Sequence, residues 1–230
     1  MKKILMVVAM MIGAISAHAQ FEPGTFSIQP KLGSTVSWLS NMPKIGTGTV
    51  ELDNFPTVGA IIGAEAEYQL AEKFSLAAGV NYAQQGSGWE DYSLTVGEDK
   101  FELKDAKIQL DYLNLPVVAN IYLFKGFAVK AGVQFGFLLN AKEKGTMKVV
   151  NGKYSATMDL EDNSDDFKDS CSKLDISIPM GISYQVPTVP IVIDMRYNLG
   201  VSKVNKESVS GHKDLRNNVI QLTVGYKFAL

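Results

Sequence analysis

The sequence predicts an all-β fold, an eight-stranded antiparallel up-and-down transmembrane β-barrel that follows an N-terminal signal peptide. Three observations predict it: a secretion leader at the N-terminus, eight segments in which apolar and polar residues alternate, and connections between them that are short and long in turn. Alternation with period two is typical of strands whose two faces meet different surroundings.

Residues 1–19 have the three regions of a signal peptide. Lys2 and Lys3 give a basic start, residues 4–15 are mostly apolar, and Ala17-His18-Ala19 gives a small-x-small cleavage site. A transmembrane anchor helix is the alternative, but such a helix needs about 20 apolar residues. The expected domains are therefore a signal peptide at 1–19 and a barrel domain at 20–230.

The charge and the cysteine content of the chain narrow its function. Loss of the leader takes the formal net charge from −2 to −4, because Lys2 and Lys3 are removed. An acidic balance argues against nucleic acid as a partner. Cys171 is the one cysteine in the sequence, so the fold does not depend on an internal disulfide.

Eight segments of the mature chain alternate between apolar and polar residues. Each is long enough to cross a bilayer as a tilted strand, which takes about 9–11 residues. In the fourth segment the apolar phase reverses near Asp111, which predicts a β-bulge there. The segments are residues 26–38, 58–70, 74–83, 108–123, 127–140, 174–185, 191–201 and 219–228.

The connections also alternate, in length. Short ones at 71–73, 125–126 and 187–190 separate long ones at roughly 39–57, 84–107, 141–172 and 202–217. Outer-membrane barrels have short periplasmic turns and long outward loops, with both termini in the periplasm when the strand number is even. Two hairpins are predicted within the long loops, one around Gly97-Glu98-Asp99 and one around Asn151-Gly152.

A soluble barrel such as a lipocalin also alternates, so the composition of the faces has to decide. The polar face here is rich in Gly, Ser, Asn and Gln, whereas a water-facing sheet would carry many more Lys and Glu. Aromatic residues also gather near both ends of the strands, as expected where rings meet two membrane interfaces. Those near short turns or termini are Phe26, Tyr68, Phe74, Phe127, Tyr184 and Phe228, and those toward the long loops are Trp38, Tyr82, Phe137 and Tyr197.

Two stretches resemble a known family. Tyr112-Leu113-Asn114-Leu115-Pro116 is similar to the Tyr-Leu-Glu-Ile-Pro stretch of PorT-type outer-membrane β-barrel proteins of the Bacteroidetes, with Asn114 in place of the usual Glu. Residues 194–200, Asp-Met-Arg-Tyr-Asn-Leu-Gly, resemble their Asp-x-Arg-Tyr-x-x-Gly strand. The resemblance implies an outer-membrane location and insertion by the barrel-assembly machinery. One branch of the family is tied to type IX secretion.

The polar residues of each alternating segment are expected to face the lumen, and the charged ones among them fall within the periplasmic half of the strands. A buried charge is costly unless it is paired, and an eight-stranded barrel is only wide enough for side chains. We therefore predict a structural network of ion pairs that plugs the lumen, with ion gating as the alternative. Its members are Lys31, Glu65, Glu67, Lys130, Asp194, Arg196 and Lys227.

Catalytic and metal chemistry find little support. His212 is the only histidine after the leader, and it shares a long loop with Ser208 and Ser210, which favours loop polarity over nucleophile activation. An acidic loop offers oxygen ligands for Ca²⁺, but it lacks the EF-hand spacing, so we expect a solvated loop. Its acids are Asp159, Glu161, Asp162, Asp165, Asp166 and Asp169.

The sequence thus predicts a non-enzymatic barrel with no cofactor, no catalytic residue and no metal site. We expect it to act as a structural or interaction protein through its outward loops, where the two predicted hairpins project. A small-solute or ion pore is the alternative. The expected partners are outer-membrane lipid, the barrel-assembly machinery during insertion, and a surface or secretion-system protein, with no nucleic acid.

Overall fold

A computed structural model gives the fold, and the structure describes residues 22–42, 45–47, 50–151, 154–162, 165–206 and 214–230. The predicted signal peptide, residues 1–19, lies outside the described residues. No helix within the described ranges is long and apolar enough to cross a membrane. The elements in chain order are β1 (Phe26–Ser40), β2 (Ile45–Thr47), β3 (Val50–Leu52), β4 (Asn54–Ala71), β5 (Phe74–Trp89), β6 (Tyr92–Val96), β7 (Asp99–Phe124), β8 (Phe127–Asn151), β9 (Tyr154–Asp162), α1 (Asp165–Ser170), β10 (Leu174–Gln185), β11 (Ile191–Gly200), β12 (Arg216–Tyr226) and β13 (Phe228–Ala229).

Eight of these strands close into a ring. The order around it is β1, β4, β5, β7, β8, β10, β11 and β12, and β12 pairs again with β1. Every neighbouring pair is antiparallel. Closure leaves the barrel without a free edge, so each of the eight strands has a hydrogen-bonded neighbour on both sides. The predicted eight-stranded antiparallel barrel is confirmed.

The short turns lie where the sequence predicts them. Glu72-Lys73 joins β4 to β5, Lys125-Gly126 joins β7 to β8, and residues 186–190 join β10 to β11. Gly126 has a φ of +80°, and a Cβ there would lie 2.3 Å from the carbonyl oxygen of Gln185. Only glycine meets both requirements, so this turn fixes the β7–β8 hairpin.

The polar and apolar residues that alternate in the sequence point to the inside and the outside of the barrel, respectively. On β1, the side chains of Gln29, Lys31 and Thr35 point inward and are buried, whereas Leu32 on the outward face is 65% exposed. Ile62, its register partner on β4, is 61% exposed. An outer surface built from exposed large apolar residues is suited to contact with lipid rather than water.

The long loops contain more strand than the sequence predicts. β6 pairs with β7 from Tyr92↔Leu103 to Val96↔Asp99, which confirms the first predicted hairpin. β8 pairs with β9 up to Asn151↔Tyr154, which places the second, although Gly152 lies outside the described residues. Because β7 and β8 also pair above the barrel, residues 92–104, 146–151 and 154–159 form a four-stranded antiparallel sheet, the loop-side sheet.

The bulge predicted near Asp111 needs a correction. The register between β7 and β8 does shift there, but the additional residue is Leu139 on β8, since Asp111 pairs with Asn140 and Tyr112 with Leu138. β7 keeps its phase, and Leu110 points inward like Tyr112, both fully buried. The apolar phase reverses in the sequence because the inside of the barrel becomes apolar at this level.

Candidate functional site: the lumenal ion cluster and the apolar cap

The structure places all seven sequence-predicted charges inside the barrel. They come from β1, β4, β8, β11 and the end of the chain after β12, and the antiparallel registers bring them to the periplasmic half of the lumen. None is more than 7% exposed. Together they form the lumenal ion cluster, which consists of Lys31, Glu65, Glu67, Lys130, Asp194, Arg196 and Lys227.

Arg196 lies at the centre of the larger group within this cluster. Its two terminal nitrogens donate to both carboxylate oxygens of Glu65, at 2.6 and 2.7 Å, which is the bidentate arrangement that suits a guanidinium. One of them also donates to Asp194 at 2.9 Å. Lys31 donates to Glu65 and Lys130 to Asp194, each at 2.5 Å. Each carboxylate is therefore held between two cations.

Glu67 organises the smaller group. Lys227 lies 2.9 Å from one of its carboxylate oxygens, and Tyr122 and Ser75 donate to the same oxygen at 2.5 and 2.7 Å. Lys227 also donates to the Tyr122 hydroxyl at 3.2 Å. Tyr122 is not among the sequence-predicted residues, because it carries no formal charge. The sequence feature that could have indicated it is its position: Tyr122 is a tyrosine among the polar, inward-facing residues of its strand, next to a short turn.

Every charge of the cluster lies next to an opposite charge, as a buried charge requires. The larger group carries three cations and two anions, and the smaller group carries a single cation and a single anion, so the charges nearly cancel. Among the described residues there is no group of three or more His, Cys, Asp or Glu side chains that would hold a metal ion. The buried amides of Asn81 and Asn114 hydrogen-bond to each other higher in the lumen, where the Glu of the resembled motif is replaced.

At the loop end the lumen contains buried apolar side chains. Leu39, Leu110 and Leu138 point inward from three strands, and Trp89, Ile108, Phe167 and Leu215 pack around the buried residues. We call the buried group the apolar cap. It consists of Leu39, Met42, Leu110, Tyr112, Leu138, Ala141, Cys171 and Val204.

Two loop segments complete the apolar cap. Cys171 follows α1 and forms an isolated bridge with Asn205, and the Ser172 amide donates to the Val204 carbonyl at 2.6 Å. The Val204 amide in turn donates to the Leu215 carbonyl at 2.9 Å. These bonds tie the chain across the barrel mouth. Burial, with a smaller contribution from the nearby carboxylate of Glu143, raises the pKa of the Cys171 thiol.

Most of the other residues that the sequence singles out lie outside the described residues or have undescribed side chains. Ser208, Ser210 and His212 are outside the described residues. In the acidic loop, the side chains of Asp159 and Asp169 are described. Asp159 accepts a hydrogen bond from Thr146 at 3.2 Å, and Asp169 lies 3.7 Å from the Lys173 ammonium. The absence of Ca²⁺ binding stays a prediction, which calorimetry would test.

Comparison with known proteins gives the family. A family profile described as an outer membrane protein beta-barrel domain matches residues 18–206. The chain belongs to this family. It is a small outer-membrane β-barrel, so its short turns face the periplasm and its loop-side sheet lies outside the cell. Comparison with curated protein sequences gave no match.

Several solved structures are similar to this outer-membrane barrel. Ail, the attachment invasion locus protein of Yersinia pestis, is 14% identical, with 90% of this chain and 99% of Ail covered and a TM-score of 0.41. Neisserial surface protein A is 13% identical, with 88% and 97% covered and a TM-score of 0.41. OprG from Pseudomonas aeruginosa is 13% identical, with 93% and 100% covered and a TM-score of 0.39.

Proposed function

We propose that the protein is a non-enzymatic outer-membrane barrel with a closed lumen, which acts as an interaction protein through its loop-side sheet. The observation that carries the proposal is the apolar face of that sheet. In register across the four strands, Leu94, Phe101, Val149 and Ala156 form one row. The adjacent row consists of Tyr92, Leu103, Met147 and Met158.

This face remains partly open to solvent. Leu94 is 46% exposed, Val149 43% and Met158 56%. A sheet with one apolar face normally buries it against a second layer, and a continuous exposed apolar patch marks an interaction surface. The opposite face of the same strands is polar, with Ser93, Glu102, Lys148 and Thr157 in register. The asymmetry supports a partner on the apolar side.

Paired triple variants test the proposal. L94D/V149D/M158D places three carboxylates on the apolar face, and S93D/V150D/T157D places three on the polar face of the same strands. We expect cross-linking in intact cells to lose the partner in the first variant and to retain it in the second. Equal capture by both variants, with normal heat-modifiable mobility, would contradict a role for the apolar face.

The second candidate function is a pore for small solutes or ions. The observation that favours it is the polar lining of the middle of the lumen, which includes Asn81, Asn198 and Gln221. Planar-bilayer recording of the purified protein separates the two functions. The closed barrel predicts no large, steady conductance, and such a conductance would favour the pore.

The proposal also includes a more specific role, a link to protein secretion. It rests on the resemblance of residues 112–116 and 194–200 to PorT-type proteins, and its partner would be a surface or secretion-system component. Deletion of the gene should then strand secreted cargo in the periplasm. Normal secretion in the deletion strain would remove this element and leave the interaction barrel itself unaffected.

A further inference from the structure

A cavity of about 580 Å³ lies where β1, β11 and β12 reach the loop end of the barrel. Leu199 of β11 lines it together with Arg216 and Asn218 of β12. Between the last two, Asn217 donates a hydrogen bond to Gln85 inside the lumen. Successive residues of a strand point to opposite faces, so Arg216 and Asn218 lie on the outward face. The cavity therefore opens toward the membrane side of the wall.

Two stacked aromatic rings mark the height of the cavity in the membrane. Trp38 of β1 is the register partner of Asn218, and its ring stacks on Tyr197 of β11 with the centroids 6.0 Å apart. Tryptophan and tyrosine concentrate where acyl chains meet head groups. The lower edge of the cavity therefore lies at the outer membrane interface. Arg216 is two residues nearer the loops than Asn218, which places it among the head groups.

The apolar surface of the barrel reaches the cavity without a polar step. Asn218 is the polar residue below Arg216, but it is only 4% exposed. Its amide nitrogen donates to the Ser40 hydroxyl at 2.6 Å, and its amide oxygen accepts from the Tyr197 hydroxyl at 3.1 Å. Its polar atoms are thus bonded within the wall. On β11 every outward residue is apolar or aromatic, up to Leu199, which is 38% exposed and lines the cavity itself.

The charge of Arg216 is not neutralised within the described part of the chain. Its guanidinium has no hydrogen-bond or ion-pair partner there, and only its backbone carbonyl accepts a bond from the Asn218 amide. Asp214 also lines the cavity but forms no ion pair with Arg216 within the described ranges. The Asp214 carbonyl accepts a bond from Asn41 at 2.9 Å. The exposed guanidinium is therefore open to an external anion.

We propose that this cavity binds the phosphate-bearing head group of an outer-leaflet lipid, with Arg216 as the phosphate ligand. A guanidinium binds phosphate through two parallel charge-assisted hydrogen bonds, and the volume is in the range of small-molecule sites. A lipid is the source because the apolar surface of β11 ends in the same cavity at Leu199. The acyl chains would lie along that surface. This inference does not depend on the proposed partner of the loop-side sheet.

Competition between lipids beside Trp38 tests the proposal in the full barrel. The sequence has two tryptophans, so W89F leaves Trp38 as the one that reports. This variant is refolded into vesicles of phosphatidylcholine with brominated acyl chains, which quench Trp38. Unbrominated phosphatidic acid restores the fluorescence where it takes the place of phosphatidylcholine, whose choline offsets its phosphate. We expect a preference of about fivefold for phosphatidic acid, the contribution of one basic residue at an anionic surface. Equal occupancy by the two lipids would overturn the proposal.

Further variants in the W89F background identify the ligand and its source. R216Q should abolish the preference, whereas K107Q should retain it. K107Q is the matched control, because it removes one charge from the outward face of β7, where Lys107 also has no ion pair within the described ranges. Equal losses in the two variants would overturn the site.

Two other arms separate the possible ligands. D214N removes a negative charge from the cavity lining and should raise the preference for phosphatidic acid, and it tests the site even if R216Q fails to fold. A fall in D214N would indicate a cationic group in the cavity and overturn the phosphate assignment. Inorganic phosphate in excess should leave the preference unchanged, because it lacks acyl chains. Loss of the preference in its presence would overturn the lipid as the source.

Discussion

The two ends of the lumen contain different kinds of side chain. In the periplasmic half, seven charged side chains satisfy one another, whereas at the loop end eight buried residues, most of them apolar, form the apolar cap. A charged cluster is sensitive to the loss of one member, because the remaining charges stay buried. An apolar cluster loses only the contacts of the atoms removed. The comparison predicts that equal truncations have unequal effects at the two ends.

The largest effect is expected from Glu65→Ala. The substitution leaves Arg196 and Lys31 buried without their shared carboxylate, which costs about 3–5 kcal/mol of unfolding free energy. Urea titration of the barrel in lipid vesicles, followed by tryptophan fluorescence, measures it. Glu98→Ala, in the exposed turn between β6 and β7, is the matched control and should change stability by less than about 0.5 kcal/mol. Similar losses of unfolding free energy in the two variants would show that Arg196 and Lys31 do not depend on Glu65 for their stability in the lumen.

The apolar cap should respond less steeply. Leu110→Ala removes a fully buried side chain, which costs about 2–5 kcal/mol depending on how far the neighbours close in. Leu94→Ala, on the partly exposed face of the loop-side sheet, is the control and should cost less. Because Glu65 and Leu110 belong to separate clusters, the double variant should be additive within about 0.5 kcal/mol. A larger departure in the same urea titration would mean that the two ends are coupled.

The two regions also differ in how far the sequence predicts them. Charged residues stand out among the inward-facing positions of an alternating strand, so all members of the lumenal ion cluster could be identified from the sequence. Their partners could not, because the contact between Arg196 and Glu65 joins residues 131 apart and depends on the stagger at which the barrel closes. Lys31 and Glu65 differ in this respect, because they lie on β1 and β4, which are consecutive membrane-spanning strands, so adjacency along the chain indicates their contact.

The apolar cap escaped prediction for a different reason. Leu110 lies where the apolar phase of the fourth segment reverses, and alternation shows such a change of polarity without showing which side of the strand has changed. Cys171 and Val204 come from loops that have no periodicity. Their positions depend on backbone hydrogen bonds such as Ser172 to Val204, which no residue pattern indicates. The barrel strands were therefore predictable, while the packing at the loop end was not.

A smaller effect is expected from Tyr122→Phe. The substitution removes the hydroxyl that donates to Glu67 but leaves the ion pair with Lys227. A hydrogen bond to a charged group contributes about 1.5–3 kcal/mol. Tyr184→Phe, on the exposed outward face, is the control and should stay within about 0.5 kcal/mol in the urea titration. A loss of unfolding free energy as large as that of Glu65→Ala would mean that the lumenal ion cluster depends on the Tyr122 hydroxyl as much as on the Glu65 carboxylate.

The reactivity of Cys171 offers the finest comparison, because the thiol lies in the apolar cap and no other cysteine competes for the reagent. Burial restricts access and raises the pKa of the thiol, so alkylation of the folded barrel at pH 8 should be slow and should accelerate as the pH rises. Leu110→Ala opens the packing around the thiol, and we expect it to increase the alkylation rate about tenfold, which corresponds to about 1.4 kcal/mol. Tyr122→Phe, which perturbs only the periplasmic half, should leave the rate unchanged. If both variants accelerate the reaction equally, the lumenal ion cluster and the apolar cap open together and are not independent.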